Sequence, residues 1–273
     1  MFEQEVLLEQ LGDKKTNHVV ERLNRFASVP NAVMQGLAEA ALSEEWGQNL
    51  YVLKKYLAVY IAWSIEQERY TTSQDQFYVT AGHLQTRYGT PLYLVFTRNS
   101  FGNPPWLLLK AAANISAPEL PAPPDIPVPP ELVPGTEIVM AHDHILGNNL
   151  NRVAFLENTP HVAQICAVSG AIQWSLYRGL QIPYWYFGQM HYLIPLYLQS
   201  RENIALAPDV IAPVQVSSKS LMVRTVLEPS MPYANARVAV PRHDQLPHWL
   251  LDSWSTFANQ ATEQEIDDPE FNT

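Results

Sequence analysis

The 273-residue chain has one cysteine, Cys166, which excludes an intramolecular disulfide and any multi-cysteine zinc or iron–sulfur centre. A chain of this length buries roughly 70–75% of the surface its unfolded form exposes, so its fold needs neither. Cys166 stands in the apolar run 163–169 with no cationic neighbour in sequence to activate it, and is read as a buried structural thiol rather than a nucleophile. Long apolar runs are missing as well. The longest, YLAVYIAWSI (56–65), is about half of the roughly 20 residues a membrane span needs. The first twenty residues lack a basic segment followed by an apolar core and a small-residue cleavage site, so no secretory signal and no membrane partner are expected, and the cytoplasm is the expected location. Glycine-rich phosphate loops, a Gly-x-Ser-x-Gly turn and a His-Glu-x-x-His helix are all absent, which removes the commonest nucleotidase, hydrolase and metalloprotease readings. No internal repeat is visible.

Basic residues are also scarce: 17 Lys and Arg stand against 27 Asp and Glu, a formal charge of −10 that argues against a broad face for duplex DNA. The deficit is uneven. The last thirteen residues, ATEQEIDDPEFNT, carry five acids and no base, whereas residues 135–245 hold seven bases and seven acids. Six of those seven bases are arginine (Arg152, Arg178, Arg201, Arg224, Arg237 and Arg242), the residue suited to planar, bidentate partners such as phosphate or carboxylate. Structural ion pairs use arginine for the same reason, so both readings stand.

Hydrophobic periodicity in the first seventy residues is helical, with a stop at Gly12, a start at Pro30 reading through Trp46, and a stripe of Leu50, Leu53, Leu57, Ile61 and Ile65 in the most apolar helix. It then switches to short β-branched and aromatic runs, DQFYVTAGHL, GTPLYLVFTRN and PPWLLLKAA, the pattern of paired strands. Residues 117–134 hold eight prolines in eighteen positions, which favours extended polyproline II and forbids a place inside a sheet. The stretch reads as a stiff strap, with Ile126, Val128, Leu132 and Val133 as its apolar contacts. Beyond it come a strand entering residues 141–152, a helix stopped at Gly179, an aromatic strand pair at 183–199, a strand at SLMVRTVLEP and a turn or short helix at MPYANARVAV. The expected class is α+β: an N-terminal helical part, then a mixed or antiparallel sheet with packed helices, and a proline-rich strap between. The corresponding segments are a helical extension at 1–28, a helix-and-hairpin half at 29–116, the strap at 117–134, a second half at 135–258 and an acidic, disordered tail at 259–273.

Residues 141–152, AHDHILGNNLNR, place two histidines, one aspartate, three asparagines and one arginine in twelve positions. If the segment is extended, His142 and His144 share a face with Asp143 opposite. Two imidazoles could then share a metal, but no third ligand sits at a diagnostic distance, so no metal and no cofactor are expected. Asp143 with His144 could instead act as an acid/base pair. Asp143 could equally cap the turn that follows. In PYWYFG (183–188), four aromatics suit either a base-stacking platform or core packing.

EEWGQNLYVLKKYLAVYIAWSIEQERY, YGTPLYLVFTRN, DHILGNNLNR, PYWYFGQMHYLIPLYLQ and RTVLEPSMPYANARV, in that order over roughly 37–240, together resemble the largely bacterial family of the domain of unknown function 3825. The resemblance is most specific in DHIL with Asn149 and Arg152, in the aromatic turn Pro183–Gly188, and in Thr225 with Tyr233, Asn235 and Arg237. It implies no established activity. It does imply an RNA-related role, through the family's association with RNA-binding modules. The family pattern has an acidic residue at Ser230 and an asparagine near Thr80, so an activity resting on those groups would be altered here.

The polar groups common to these stretches are Asp143 and His144, as candidate catalytic groups, with Asn149, Arg152, Tyr186, Arg224, Tyr233, Asn235 and Arg237 as candidate ligand-binding groups. The first reading is a single pocket for RNA or a nucleotide, with arginines on phosphate, asparagines on an edge and a stacked tyrosine. The alternatives are a metal-independent RNA-processing enzyme using His144, and a non-catalytic scaffold whose helical half docks a protein.

Overall fold

The computed structural model describes residues 4–12, 19–217 and 219–258, and shows an α+β protein whose chain divides into two compact units. Of the described residues, unit 1 takes those up to 126 with 240–245 and 258; unit 2 takes those of 127–239 with 246–257. The first division falls inside the proline-rich stretch. The acidic segment 259–273 lies outside the described residues.

Unit 1 starts with α1 (Gln4–Leu11) and α2 (Val19–Phe26), followed by β1 (Ala27–Ser28), α3 (Asn31–Ala40) and α4 (Tyr51–Glu66). α1 ends at Gly12 with a positive φ of 75°, and Arg22 of α2 donates to the free carbonyls of Leu11 and Gly12. α3 stops at Ala40, short of the reach to Trp46 expected from its helix formers; Leu42 N–H donates to Gln85 O and takes the chain out of helix. α4 buries 14 of its 16 residues, so its apolar stripe extends all the way round. β2 (Thr71–Ser73), β3 (Gln76–Gln85), β4 (Pro91–Arg98) and β5 (Trp106–Ala112) form a sheet in the order β1-β5-β4-β3-β2, antiparallel except for β1 against β5. Phe26, Phe77, Phe96 and Trp106 make its aromatic centre, with ring centroids 5.6 to 6.2 Å apart. A bulge between Thr80 and Gln85 brings Gly82 against α4, where Tyr56 Oη accepts from His83 N–H.

The proline-rich stretch carries no helix or strand, as its composition requires. Gln67 of unit 1 pins it with two hydrogen bonds to the main chain of Asp125, at 2.7 and 2.8 Å. Of its four expected apolar contacts, Ile126 and Leu132 are half-buried. Val128 and Val133 are exposed, at 90% and 55%, and Pro121 and Pro124 are buried in their stead.

Unit 2 is built on a second five-stranded sheet, in the order β6-β10-β9-β8-β7, from β6 (Glu137–Met140), β7 (Ile182–Tyr186), β8 (Gln189–Leu196), β9 (Val210–Val216) and β10 (Ser220–Val223). β6 runs parallel to β10 and the other pairs are antiparallel. On one face Ile194, Leu196, Ala212, Val214, Leu221 and Val223 pack against α5 (His161–Leu176) and the helical turns after β6. α5 ends as expected: Gly179 has φ 66°, and Gly179 N–H and Leu180 N–H close back on Leu176 O and Ser175 O, a Schellman arrangement. Cys166 is exposed on this helix, which corrects its reading as a buried thiol; the core-facing positions are Gln164, Val168, Ala171, Ile172 and Ser175. The β7–β8 hairpin turns on Phe187 and Gly188, both with positive φ (53° and 74°), as a two-residue hairpin of right-handed twist demands. α6 (Tyr233–Val238) packs on β7, and α7 (His248–Phe257) stacks Trp254 on Tyr233 at 4.9 Å and 7°. No described helix is long and apolar enough to cross a membrane.

Candidate functional site

β6 and β10 run parallel and stop at the same end of the sheet, at Met140 and Val223. The two segments leaving them, 141–152 and 224–227, therefore start side by side. The first is helical from His142 onward. Ile145 N–H reaches Ala141 O and Asn149 N–H reaches His144 O, so the turn widens by one residue to an i+5 bond, and the stretch Leu150–Leu156 then tightens to a 3-10 helix. Ile145, Leu146, Val153 and Leu156 supply the reason, since this spacing lays all four onto the core shared with α5.

The helical conformation overturns the extended reading of the histidines. At about 100° per residue, His142 and His144 point roughly 200° apart, so they cannot present one face to a metal. No group of three His, Cys, Asp or Glu able to hold a metal occurs among the described residues. Asp143 makes no side-chain cap hydrogen bond, contrary to the capping reading, and is exposed. Both imidazoles are half-buried, and His142 Nδ1 is enclosed with no hydrogen-bond partner among the described residues.

Two side chains bind the segments together. Asn149, buried, donates from Nδ2 to His144 O at 3.1 Å and to Thr225 Oγ1 at 3.5 Å. Arg152 donates from Nη1 to Val226 O at 2.8 Å. Thr225 and Val226 are fully buried, while Arg224 just before them is exposed and forms no ion pair among the described residues. The end of the sheet thus presents an exposed guanidinium, an exposed carboxylate and two partly sheltered imidazoles on a hydrogen-bonded frame.

Tyr186, Tyr233, Asn235 and Arg237 lie elsewhere. In β7 the buried positions Ile182, Tyr184 and Tyr186 alternate with Pro183 and Trp185, and the pairing of Ile182 with Leu193 puts them on the face opposite Ile194 and α5. There Asn235 of α6 donates to Tyr184 Oη at 3.2 Å, and the Tyr184 and Tyr186 rings stack at 5.9 Å and 13°. Burial, then the neighbouring Tyr186, raises the Tyr184 phenol well above its ordinary pKa, with the Asn235 bond opposing. Tyr233, Asn235 and Arg237 are all buried. The single pocket read from sequence is therefore resolved into two groups, one at the β6–β10 end and one internal, because strand alternation sends Tyr184 and Tyr186 to the other face. The aromatic turn packs into the core rather than forming an exposed stacking row; only Phe187, at the tip, reaches 37% exposure.

Trp254 was not legible as a partner of Tyr233. Its signal is the spacing of Leu250, Trp254 and Phe257 on one helical stripe after Pro247. Ser230, where the family pattern has an acid, is buried and its carbonyl accepts from Tyr233 N–H at 3.4 Å. Thr80 belongs to unit 1, where its hydroxyl is buried without a hydrogen-bond partner among the described residues.

An α+β protein with a polar, arginine- and histidine-bearing sheet end is the class these features define. The chain belongs to the family of the domain of unknown function DUF3825, whose model matches residues 37–245. No curated protein and no solved structure matches it.

Proposed function

We propose that unit 2 binds a phosphate-bearing ligand, RNA or a nucleotide, at the sheet end where β6 and β10 stop. The observation that carries this is the frame Asn149–Thr225 and Arg152–Val226, which holds Arg224 exposed, with no acidic partner among the described residues, beside the widened turn of His142, Asp143 and His144. A guanidinium with five N–H donors suits a phosphate, and a carboxylate suits a ribose hydroxyl or a base amine, which Asp143 can accept. Widened turns of this kind are frequent at functional sites. Arg152 supports the frame through Val226, and Tyr186, Tyr233, Asn235 and Arg237 support the fold behind it. The test is binding of fluorescein-labelled oligouridylate and of uridine monophosphate, followed against salt. Arg224→Gln should weaken both and lower the RNA salt slope by about 0.7, the value for one phosphate contact on a single strand. Unchanged affinities would sink the reading.

A second reading, the non-catalytic scaffold, is favoured by the burial of Tyr233, Asn235 and Arg237, three of the polar groups shared with the family. The RNA-processing alternative gives His144 the acid/base role, and requires that His144→Ala abolish cleavage while leaving RNA affinity nearly intact.

A further inference from the structure

Unit 2 holds two further exposed cations, on the side of the sheet formed by β7 and β8. Arg178, one turn after Trp174 at the end of α5, has its guanidinium carbon 3.9 Å from the Trp174 ring centroid. Arg201, from the loop after β8, lies over the same ring at 4.8 Å. The two distances together bound their separation at 8.7 Å. Each is tethered to a main-chain carbonyl, Arg178 Nη1 to Trp174 O at 3.3 Å and Arg201 Nε to Tyr197 O at 3.1 Å. Neither forms an ion pair among the described residues. Asp209, at the end of the same loop, is engaged instead by Leu198 N–H, Gln199 N–H and Gln199 Nε2. Two cations held on one indole repel each other, and an anionic partner that spans both removes that cost.

The sequence supplies an anion of matching spacing. Residues 259–273, which lie outside the described residues, carry Glu263, Glu265, Asp267, Asp268 and Glu270 and no base, half of the chain's net charge of −10. Alternate residues of an extended chain project to one side, about 6.6–6.8 Å apart. Extended, Glu263, Glu265 and Asp267 would form a row of carboxylates on the scale of the arginine pair. The segment is also long enough. α7 ends at Phe257 on the α6 side of β7, an edge strand, and Arg178 stands four residues before Ile182 at the start of that strand. Rounding this edge from one helix layer to the other passes three layers of about 10 Å each, on the order of 30 Å. The ten residues 258–267 span up to about 33–36 Å.

Linkage selects this anion over others. An external polyanion must approach a chain of net charge −10, whereas a covalently joined segment stays at an effective concentration of about millimolar. Exposed ion pairs are usually weak because two long side chains must be ordered to form them. Here both arginines are already held, on Trp174 and on main-chain carbonyls. We infer that the acidic segment docks on the Arg178–Trp174–Arg201 stack of its own chain, with two of Glu263, Glu265 and Asp267 on the two guanidinium groups. This contact does not depend on the ligand proposed for the β6–β10 end.

The chain's one cysteine, Cys166, is exposed on α5, about 18 Å before Arg178 at the helical rise, so a nitroxide on it reports on this surface in the full chain. With that label, the nitrogen-15 amide signals around Glu263–Asp267 should be broadened at low salt. They should sharpen at about 1 M salt, where the Debye length is ~3 Å, and in Arg178→Gln/Arg201→Gln at low salt. Glu263→Gln/Glu265→Gln/Asp267→Asn should release the segment, whereas Asp268→Asn/Glu270→Gln keeps the row and should leave it docked; the reverse pattern overturns the assignment. Arg178→Lys/Arg201→Lys keeps both charges and should keep the broadening. Release equal to that of the glutamine pair would mean lost packing on Trp174 and would overturn the inference. Sharp signals in the parent, or broadening that persists in the glutamine pair, overturn it as well, whatever else those arginines bind. Broadening between spin-labelled and separate nitrogen-15-labelled chains, growing with protein concentration, would assign the contact to a second copy and overturn docking within one chain.

Discussion

Arg237 was the most suggestive cation in its sequence stretch, and it is 2% exposed. A guanidinium so deep loses its hydration, and only internal partners offset that loss. Removing it leaves those partners uncompensated, so Arg237→Ala should cost about 3–5 kcal/mol in urea unfolding. A phosphate ligand role predicts the opposite: unchanged stability with a flatter salt slope for RNA. His191 makes a second test at this scale. It lies across the hairpin from Tyr184, and burial holds its imidazole pKa below the ordinary value, against an opposing hydrogen bond to the main chain at Tyr186. The unfolded chain therefore takes up a proton first as pH drops below about 6.5, while the native imidazole resists. Stability from this group is fully present above about pH 6.5 and is lost as pH falls from there to the lowered native value. The melting temperature of the parent should drop over that window, and His191→Gln should drop less; equal slopes would remove His191 from the account.

Elements differed in how openly they wrote themselves into the chain. α4 was legible because Leu53, Leu57, Ile61 and Ile65 recur at helical spacing and the run 56–65 is apolar throughout, and the hairpin at Phe187–Gly188 because aromatic runs flank a two-residue turn. β9 was not, because Pro213 sits in VIAPVQV and a proline argues against a strand flanked on both sides. The structure shows how it is accommodated. Ile211 N–H bonds Leu227 O, so the amide side of residue 213 faces the same way, into the gap between the Val214–Val223 pair and Leu227 where the ladder is open. Residues 141–152 misled for a related reason: their polar residues suggested an extended active strand, while Ile145, Leu146, Val153 and Leu156 set a helical spacing that buries them. Arg178 beside Trp174 is readable as an i+4 pair, but Arg201 reaches that ring only through the tertiary fold. Gly82 tests the bulge. A Cβ there would stand 2.6 Å from both Tyr56 Oη and the Tyr60 ring, at φ 59°. Gly82→Ala should therefore lose about 3 kcal/mol by urea unfolding, from left-handed strain and overpacking together. A loss below about 1 kcal/mol would mean that the two rings move aside freely.

At the scale of the whole molecule, the chain crosses between its units at residues 126, 239, 245 and 257, so neither unit is a contiguous piece of sequence. The family match, 37–245, leaves out parts that each unit uses. In unit 1, Gln4 of α1 donates to Ile65 O at 2.8 Å and Gln10 accepts from Trp106 Nε1 at 2.9 Å, so α1 reaches both α4 and the sheet. In unit 2, α7 lies wholly beyond residue 245, and its Trp254, 1% exposed, covers Tyr233 of the shared motif. Loss of a buried tryptophan from a core costs roughly 3–5 kcal/mol, a large share of the 5–15 kcal/mol that holds a domain. A fragment of residues 127–239 therefore contains every strand of its sheet and still lacks the cover of α6. Extending it to residue 258 restores α7 through the short passage 240–245. The longer fragment should melt cooperatively and keep the near-ultraviolet dichroism of packed tyrosine and tryptophan. The shorter should lose both while keeping much of its far-ultraviolet signal, as expected when side-chain packing goes before secondary structure. Identical melting of the two fragments would show that α6 and the motif around Tyr233 stand without α7.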